Sequence, residues 1–332
     1  MMTNANESMQ RGAAKEGGTT GRAVAQLMAA ALITTLISTS ARAGSDHPER
    51  EFQVIPLGQY EHVSLTKQII HSPAIGAVVM SANTQAIGLY TRRALTEPRW
   101  EGYPAVYHTI DFLLESNRGR NQWLLIFKSE SNEPVYGGWD TFQAGWVYGH
   151  EWVQTSRFSL IAGGGLAVSD FGLEISAGTP WIVIPVPLIR AQYEARWIVA
   201  KFDFLTGPNL DLTFAPHRRL RLVTDVRADR FRTWRDVIFT GALAYRFFSP
   251  ESGMGDFAGF AVGASNNAYN YTLGRADEQL DISYYSVFGQ IDLTLLKLTA
   301  GYAFAGQECY RETLTRNIGD GYYLAVQAMY QF

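Results

Sequence analysis

The C-terminal segment alternates strictly between two faces, and this alternation constrains the fold more than any other feature of the chain. One face carries an apolar stripe with aromatic residues at both ends: Tyr322, Leu324, Val326, Ala328, Tyr330 and Phe332. The other face is more polar and includes Gln327 and Gln331. A period of two indicates a β-strand. Such a stripe is typical of a lipid-facing strand in a membrane barrel, and the edge strand of a soluble sheet is the alternative interpretation.

The position of Phe332 as the last residue adds a resemblance. The segment resembles the C-terminal signal of Gram-negative outer-membrane β-barrels, in which a terminal Phe closes an alternating strand. The resemblance implies that Phe332 and Tyr330 form an assembly signal read by the barrel assembly machinery. It also implies that outer-membrane lipids surround the chain and that the cell outer membrane is its location. The whole chain resembles outer-membrane barrel proteins of an uncharacterised family.

The N-terminal residues have the parts of an export signal. Basic residues precede an apolar run at residues 23–37, which is too short to span a bilayer comfortably. Ala41-Arg42-Ala43 follows as an A-x-A cleavage site. We therefore predict a cleaved signal peptide at residues 1–43, and a signal anchor left in place is the alternative.

Composition supports a barrel and argues against other classes. No later stretch is long and apolar enough for a membrane-spanning helix, and helical periodicity is absent after residue 43. A mean hydropathy of −0.08 and an aromatic content of 13% suit a wall that alternates lipid-facing and lumen-facing residues. The net charge of −3 argues against a nucleic-acid partner. Cys309 is the single cysteine, so we expect no disulfide partner within the chain.

Alternation recurs through residues 74–332, which we predict to form one all-β, antiparallel transmembrane barrel. We expect about 12 strands, in the range of roughly 10–14, and an even number because bacterial barrels close that way. Residues 44–73 alternate least, so we predict a lead-in or plug segment there. Short turns, such as that near Thr206, are predicted to be periplasmic. Long polar segments are predicted to be extracellular loops, at 93–104, 131–140, 249–256, 267–280 and 306–319.

Charged residues alternate with the apolar stripes in the second half of the chain. Because charge in hydrocarbon is costly, we expect the lumen to be lined by Lys201, Asp203, Arg221, Asp225, Arg227 and Arg246. One interpretation is a pore lining that attracts anions. The other, which we favour, is a structural network in which arginines pair with carboxylates inside a narrow barrel.

Two prolines interrupt an apolar strand at residues 181–189. Pro185 and Pro187 are two residues apart, so their missing N–H groups point towards the same neighbouring strand. We predict a weak seam in the wall there. The functional hypothesis is a lateral opening for a lipid or an apolar solute, and the alternative is a strand end or bulge near the membrane interface.

The same segment carries a second, partial resemblance. Residues 184–189 are similar to a strand of the outer-membrane lipid A palmitoyltransferases, and residues 144–152 and 158–168 precede it in matching order. Residues 127–131 resemble that family's approach to its catalytic Asp-Ser pair, although Ser129-Glu130-Ser131 replaces the pair itself. The resemblance covers about residues 127–190 and implies a small barrel that admits a phospholipid laterally and transfers an acyl chain.

Catalytic signals are otherwise weak. The histidines are scattered, and neither His71 nor His108 has the spacing of the palmitoyltransferase family. We predict no cofactor and no metal site, and we favour a protein that is not an enzyme. The main functional hypothesis is a passive channel or small-solute transporter. The alternatives are a lipid-modifying enzyme that transfers or removes acyl chains and a structural or adhesive surface protein.

Overall fold

The computed structural model describes the chain from residue 53 to residue 329 with gaps: 53–96, 105–131, 142–168, 183–205, 207–228, 237–248, 258–272, 279–293, 295–310 and 313–329. These residues form β1 (Gln53–Leu65), β2 (Gln68–Met80), β3 (Thr84–Leu95), β4 (Val106–Arg118), β5 (Asn121–Ser131), β6 (Phe142–Gln154), β7 (Phe158–Val168), β8 (Val183–Ala195), β9 (Ile198–Phe204), β10 (Pro208–Phe214), β11 (Leu220–Ala228), β12 (Val237–Arg246), β13 (Ala258–Thr272), β14 (Gln279–Leu293), β15 (Leu296–Tyr310) and β16 (Leu314–Met329). The predicted signal peptide lies outside the described residues.

Every strand pairs antiparallel with its neighbours in sequence, and β1 pairs with β16 to close the barrel. The prediction of a single antiparallel barrel is therefore confirmed. The predicted number of strands is wrong, because the barrel has sixteen strands where we expected about 12. The additional strands include β1, which lies in a segment that we expected to be outside the wall. Among the described residues no helix is long and apolar enough to cross a bilayer.

The segment at residues 53–73, which we expected to be a lead-in or plug, belongs to the wall as β1 and the first part of β2. The proline of β2 fits the wall because one of its two ladders is missing there. Pro73 falls where the β2–β3 ladder is interrupted, between the pairs at His71 and Ala74. A missing N–H costs nothing at such places.

The two ends of the barrel differ in their connections. We call the end that holds Gln53 and Met329 the chain-end rim, and the opposite end the loop rim. β12 ends and β13 begins at the chain-end rim, so the connection at 249–256 opens opposite to the other predicted loops. The turn near Thr206 joins β9 to β10 at the loop rim, with the long connections. Successive strands of an antiparallel barrel run in opposite directions, so the order of the strands determines the rim at which each turn lies, whatever the length of the turn.

Large apolar side chains are exposed on the outer face, for example Leu166, Val262 and Tyr302 at 56%, 51% and 52%. Aromatic rings cluster on this face towards the chain-end rim, where the Trp123 and Tyr148 ring centroids lie 4.5 Å apart and those of Tyr245 and Phe260 5.7 Å apart. A second group, with Tyr285 and Phe304 at 5.9 Å, lies nearer the loop rim. An apolar face with aromatic residues at two levels is the outer surface that a bilayer requires.

The barrel is flattened, so its interior is packed in places. β5 and β13 lie on opposite sides of the ring, yet some of their Cα atoms come within 8 Å of each other. A first apolar core fills the loop-rim half between β1–β4 and β13–β16, and it includes Ile70, Leu280, Ile282 and Ile318, each 0% exposed. We call it the large core.

A second apolar cluster, the small core, lies inside β4–β9 and contains Leu124, Val147, Ala167, Val186 and Leu188. The wall is strongly bent here, and β6 approaches β8 across β7. Glycines in β7 permit this approach: a Cβ on Gly163 would overlap the carbonyl oxygen of Tyr148, and a Cβ on Gly165 that of Trp146.

Candidate functional site

Polar side chains converge on the inner face of four neighbouring strands. The ladder registers place Arg190, Asp203, Asn209 and Arg227 in one row across β8–β11, and Gln192, Lys201, Asp211 and Asp225 in the next row. The alternate residues, such as Ile189 and Tyr193, are 41% exposed on the outer face. We call these two inward-facing rows the polar sector. The structure therefore places Lys201, Asp203, Asp225 and Arg227, four of the residues predicted to line the lumen, on one inward-facing surface.

An ion-pair network holds one side of the polar sector. Arg190 Nε donates to Asp203 Oδ2 at 2.7 Å, and Arg190 Nη1 donates to Glu115 Oε2 on β4 at 3.0 Å. Gln122 Nε2 also donates to Glu115, at 2.7 Å. These three charged side chains are between 21% and 38% exposed, so water reaches them. The network gives Asp203 a structural role, with Arg190 as its cation partner.

The remaining lining residues differ in exposure. Lys201 and Arg227 are exposed although they point inwards, whereas Arg221 and Asp225 are half-buried. Gln192 and Glu194 on β8 are exposed as well. Arg246 is only 9% exposed and donates from Nη1 to the Pro216 carbonyl oxygen at 3.0 Å. Arg246 thus anchors the β10–β11 turn at the chain-end rim.

The opposite side of the interior is closed by a contact across the lumen, which we call the tyrosine latch. The Tyr269 hydroxyl on β13 donates to Glu61 Oε1 on β1. The Tyr284 hydroxyl lies 3.0 Å from that of Tyr269 and 3.5 Å from the same carboxyl oxygen. The Arg93 guanidinium stacks over the Tyr269 ring, 4.8 Å from its centroid. The alternation of side chains along the strands did not predict this contact, because the contact depends on how closely the walls approach each other inside the barrel.

The predicted seam has a different cause from the one we expected. Pro185 and Pro187 keep their register with β7, opposite Leu166 and Gly164. The ladder between β8 and β9 ends at the pair Ile189–Phe204. Among the described residues, the prolines therefore lie beyond the last residue that pairs with β9, and they remove no hydrogen bond from the ladder as described. The predicted assembly signal, Tyr330 and Phe332, lies outside the described residues.

Two groups of polar aromatic residues lie on the outer face near the loop rim, and the sequence did not single them out. His62 Nδ1 and His71 Nδ1 are 3.1 Å apart, and the Tyr60 hydroxyl is 3.0 Å from the same nitrogen of His71. Separately, the Tyr90 hydroxyl is 2.6 Å from His108 Nδ1, and His108 is the direct ladder partner of Ser131. In the part of the chain that the structure describes, no three His, Cys, Asp or Glu side chains meet in a metal-binding group.

Comparisons with known proteins find likeness only among solved structures, since no family model and no curated protein matches. OccK5 (OpdH) of Pseudomonas aeruginosa shares 11% identity at a TM-score of 0.36, with 87% of this chain and 100% of that chain covered. OccK2 (OpdF) of the same organism, solved in complex with glucuronate, shares 10% identity at a TM-score of 0.39, with coverage of 87% and 100%. The FrpB iron transporter of Neisseria meningitidis shares 10% at 0.34, with coverage of 86% and 62%. Likeness of this degree supports no conclusion about activity, and the resemblance to lipid A palmitoyltransferases finds no support among these comparisons.

Proposed function

We propose that this chain is a channel of the Gram-negative outer membrane that passes small polar solutes along the polar sector. The observation that carries the proposal is the contrast between the two sides of the interior. Inward-facing Lys201 and Arg227 are exposed, whereas inward-facing Ile70 and Ile282 on the opposite side are 0% exposed. Water therefore reaches one side of the lumen, and the large core closes the other.

The charges of the polar sector favour solutes that interact with both signs. Lys201 and Arg227 present cations, and Asp211 and Asp225 face each other across the β10–β11 ladder. Like charges directly opposite each other are unfavourable, and the adjacent Lys201 on β9 offsets them. A lining of this kind suits small hydrophilic or zwitterionic solutes, and it conducts anions and cations with weak preference.

The test is conductance of the purified barrel in planar bilayers. The Lys201→Glu and Arg227→Glu double variant should shift the reversal potential towards cation selectivity, because it reverses two water-exposed charges. Arg157→Glu, an exposed charge in the β6–β7 turn, is the matched control and should leave selectivity near that of the parent. A barrel without measurable conductance, or one whose selectivity responds equally to both substitutions, would refute the proposed conduction path.

A specific observation favours the enzyme alternative as a second candidate. Ser131 and His108 are direct cross-strand partners, which places their Cβ atoms about 4.5–5.5 Å apart. The Tyr90 hydroxyl lies 2.6 Å from His108 Nδ1 and helps to position the imidazole. Ser131 is only 2% exposed, so this reaction requires a local opening at the loop rim. In an esterase of this design the Ser131 oxygen then attacks a lipid ester carbonyl and its proton passes to His108. The imidazolium then protonates the departing alkoxide, and water hydrolyses the acyl-serine.

A fluorophosphonate probe tests this candidate without knowledge of the substrate. The parent should be labelled, and Ser131→Ala and His108→Ala should not. Ser129→Ala is the matched control, because Ser129 lies on the same face of β5 and is opposite Ile110, which cannot act as a base. Absence of labelling in the folded parent, or unchanged labelling in Ser131→Ala, excludes Ser131 as a nucleophile.

A further inference from the structure

One edge of β8 lacks a neighbouring strand over half its length. β8 pairs with β7 from Val183 to Tyr193. On the other side the pairing with β9 covers only Ile189 to Ala195. Among the described residues, the edge at 183–188 therefore has no ladder partner on the β9 side. The wall has a notch there, above the tip of the β9–β10 hairpin.

The two prolines are matched to this unpaired edge. The ladder with β7 continues through Pro185 and Pro187. Because neither proline has an N–H group to donate to that ladder, their nitrogens must point to the other side. That side is the β9 side. A residue with an N–H at either position would place an unpaired donor at the notch, and proline is the natural residue for a strand edge without a partner.

The notch lies at the depth of the hydrocarbon layer. Pro185 is eight residues from Tyr193, which corresponds to a height of about 20 Å for a rise of roughly 3.3 Å per residue and a tilt of about 40°. The apolar band of such barrels is about 25 Å tall. Val183 and Leu166 beside the notch are 58% and 56% exposed, as expected of side chains that contact lipid. β9 ends at Phe204, four residues beyond Ala200, the ladder partner of Tyr193, so it reaches only about 10 Å on the same scale.

The interior behind the notch is apolar. Val186 and Leu188, the inward-facing residues of the unpaired edge, are 8% and 0% exposed. They belong to the small core with Leu124 and Val147, and Leu205 at the tip of β9 packs against that core. Apolar side chains are thus continuous from the edge of β8, past Leu205, to the small core inside the barrel.

We propose that the wall opens laterally at this notch, and that an acyl chain of a surrounding lipid or other amphiphile inserts there between the edge of β8 and Leu205. Water is a poor occupant because the notch lies in hydrocarbon and its rim is apolar. A chain of methylene groups matches both the surroundings and the small core. This inference goes beyond the channel function and does not depend on ion conduction.

Thiol modification from the lipid phase tests the opening. Cys309, the single cysteine, is first replaced by Ser. A cysteine is then introduced at Leu188 in the small core or at Leu280 in the large core, two positions that are both 0% exposed inside the barrel. Ile189→Cys, on the outer face at 41% exposure, is the positive control. Each protein is refolded into phosphatidylcholine vesicles and treated with N-dodecylmaleimide or with a water-soluble sulfonated maleimide.

The dodecyl reagent should modify Leu188→Cys about tenfold faster than Leu280→Cys, because thiol modification follows access to the reagent. The water-soluble reagent should modify neither. If Leu188→Cys does not fold, Val186→Cys replaces it with the same expectation. The proposal is overturned if these cysteines react no faster than Leu280→Cys while Ile189→Cys reacts. It is also overturned if the water-soluble reagent reaches Leu188→Cys as fast as the dodecyl reagent, since the path would then be aqueous.

Discussion

The tyrosine latch makes a measurable contribution to the stability of the barrel, and Tyr269→Phe removes it with minimal change in shape. The substitution deletes the hydroxyl that donates to Glu61 and that lies 3.0 Å from the Tyr284 hydroxyl. It retains the ring under the Arg93 guanidinium. A hydrogen bond to a charged group contributes about 1.5–3 kcal/mol. The Tyr284 hydroxyl at 3.5 Å compensates poorly, so the free energy of unfolding should fall by about 1.5–3 kcal/mol.

The assay is reversible urea unfolding of the barrel in lipid vesicles, followed by tryptophan fluorescence. Tyr302→Phe is the control, because Tyr302 is 52% exposed on the outer face and should change the free energy by less than about 0.5 kcal/mol. Because the latch joins β1 to β13 and β14 across the lumen, Tyr269→Phe should also raise single-channel conductance. Equal stability of the two variants, with unchanged conductance, would refute the structural role of the latch.

Three further predictions concern single features of the wall. Arg190→Met leaves Glu115 and Asp203 without their shared cation. The free energy of unfolding should fall by about 1–3 kcal/mol, less than for a fully buried pair because water reaches both carboxylates. Glu115→Gln in the same background should recover part of this loss. The Pro185→Val and Pro187→Val double variant should melt no higher than the parent, because among the described residues the restored N–H groups meet no strand on the β9 side. A higher melting temperature would mean that β9 extends to pair with them. Deletion of Phe332 should abolish assembly in the outer membrane, measured as loss of heat-modifiable barrel on a gel, and normal surface levels would contradict its role as an assembly signal.

The sequence predicted the wall better than the number of its strands. Period-two alternation is a local property, so it was sufficient to identify the strand faces and to place Lys201, Asp203, Asp225 and Arg227 on one surface. The count failed in part because the segment from Gln53 to Leu65 contains a proline, alternates weakly and was not predicted to be a strand. A proline argues against a strand only if both of its neighbouring ladders are present, and the sequence does not show which ladders are missing.

The site itself was only partly predictable, because its most important contacts cross the lumen. Nothing in the local pattern relates Glu61 to Tyr269, or Arg190 to Glu115, residues that lie far apart along the chain and are joined across the interior. Those pairs depend on how the wall bends inwards, which side-chain alternation does not encode. Even the bend has a signal in the sequence, since Gly163-Gly164-Gly165 stands in a strand where close approach of backbones is the usual reason for glycine.

The bend at β7 relates the packing of the interior to two features of the barrel, the polar sector in the lumen and the notch beside β8. Because Gly163 and Gly165 let β6 and β8 approach each other, the small core forms beside β8 and excludes water from that corner. Water reaches the inner face of β8–β11, where the exposed lysine and arginine of the polar sector lie. The same geometry leaves the β8 edge at 183–188 beyond the reach of the short β9.

A Cβ at Gly163 should therefore disturb both the polar sector and the notch. Gly163→Ala, which overlaps the Tyr148 carbonyl, should reduce the yield of folded barrel, whereas Gly289→Ala on β14, where nothing lies within 4 Å of the added Cβ, should fold like the parent. If both variants fold equally well and Leu188→Cys stays closed to the water-soluble reagent in each, the bend does not organise the interior in this way.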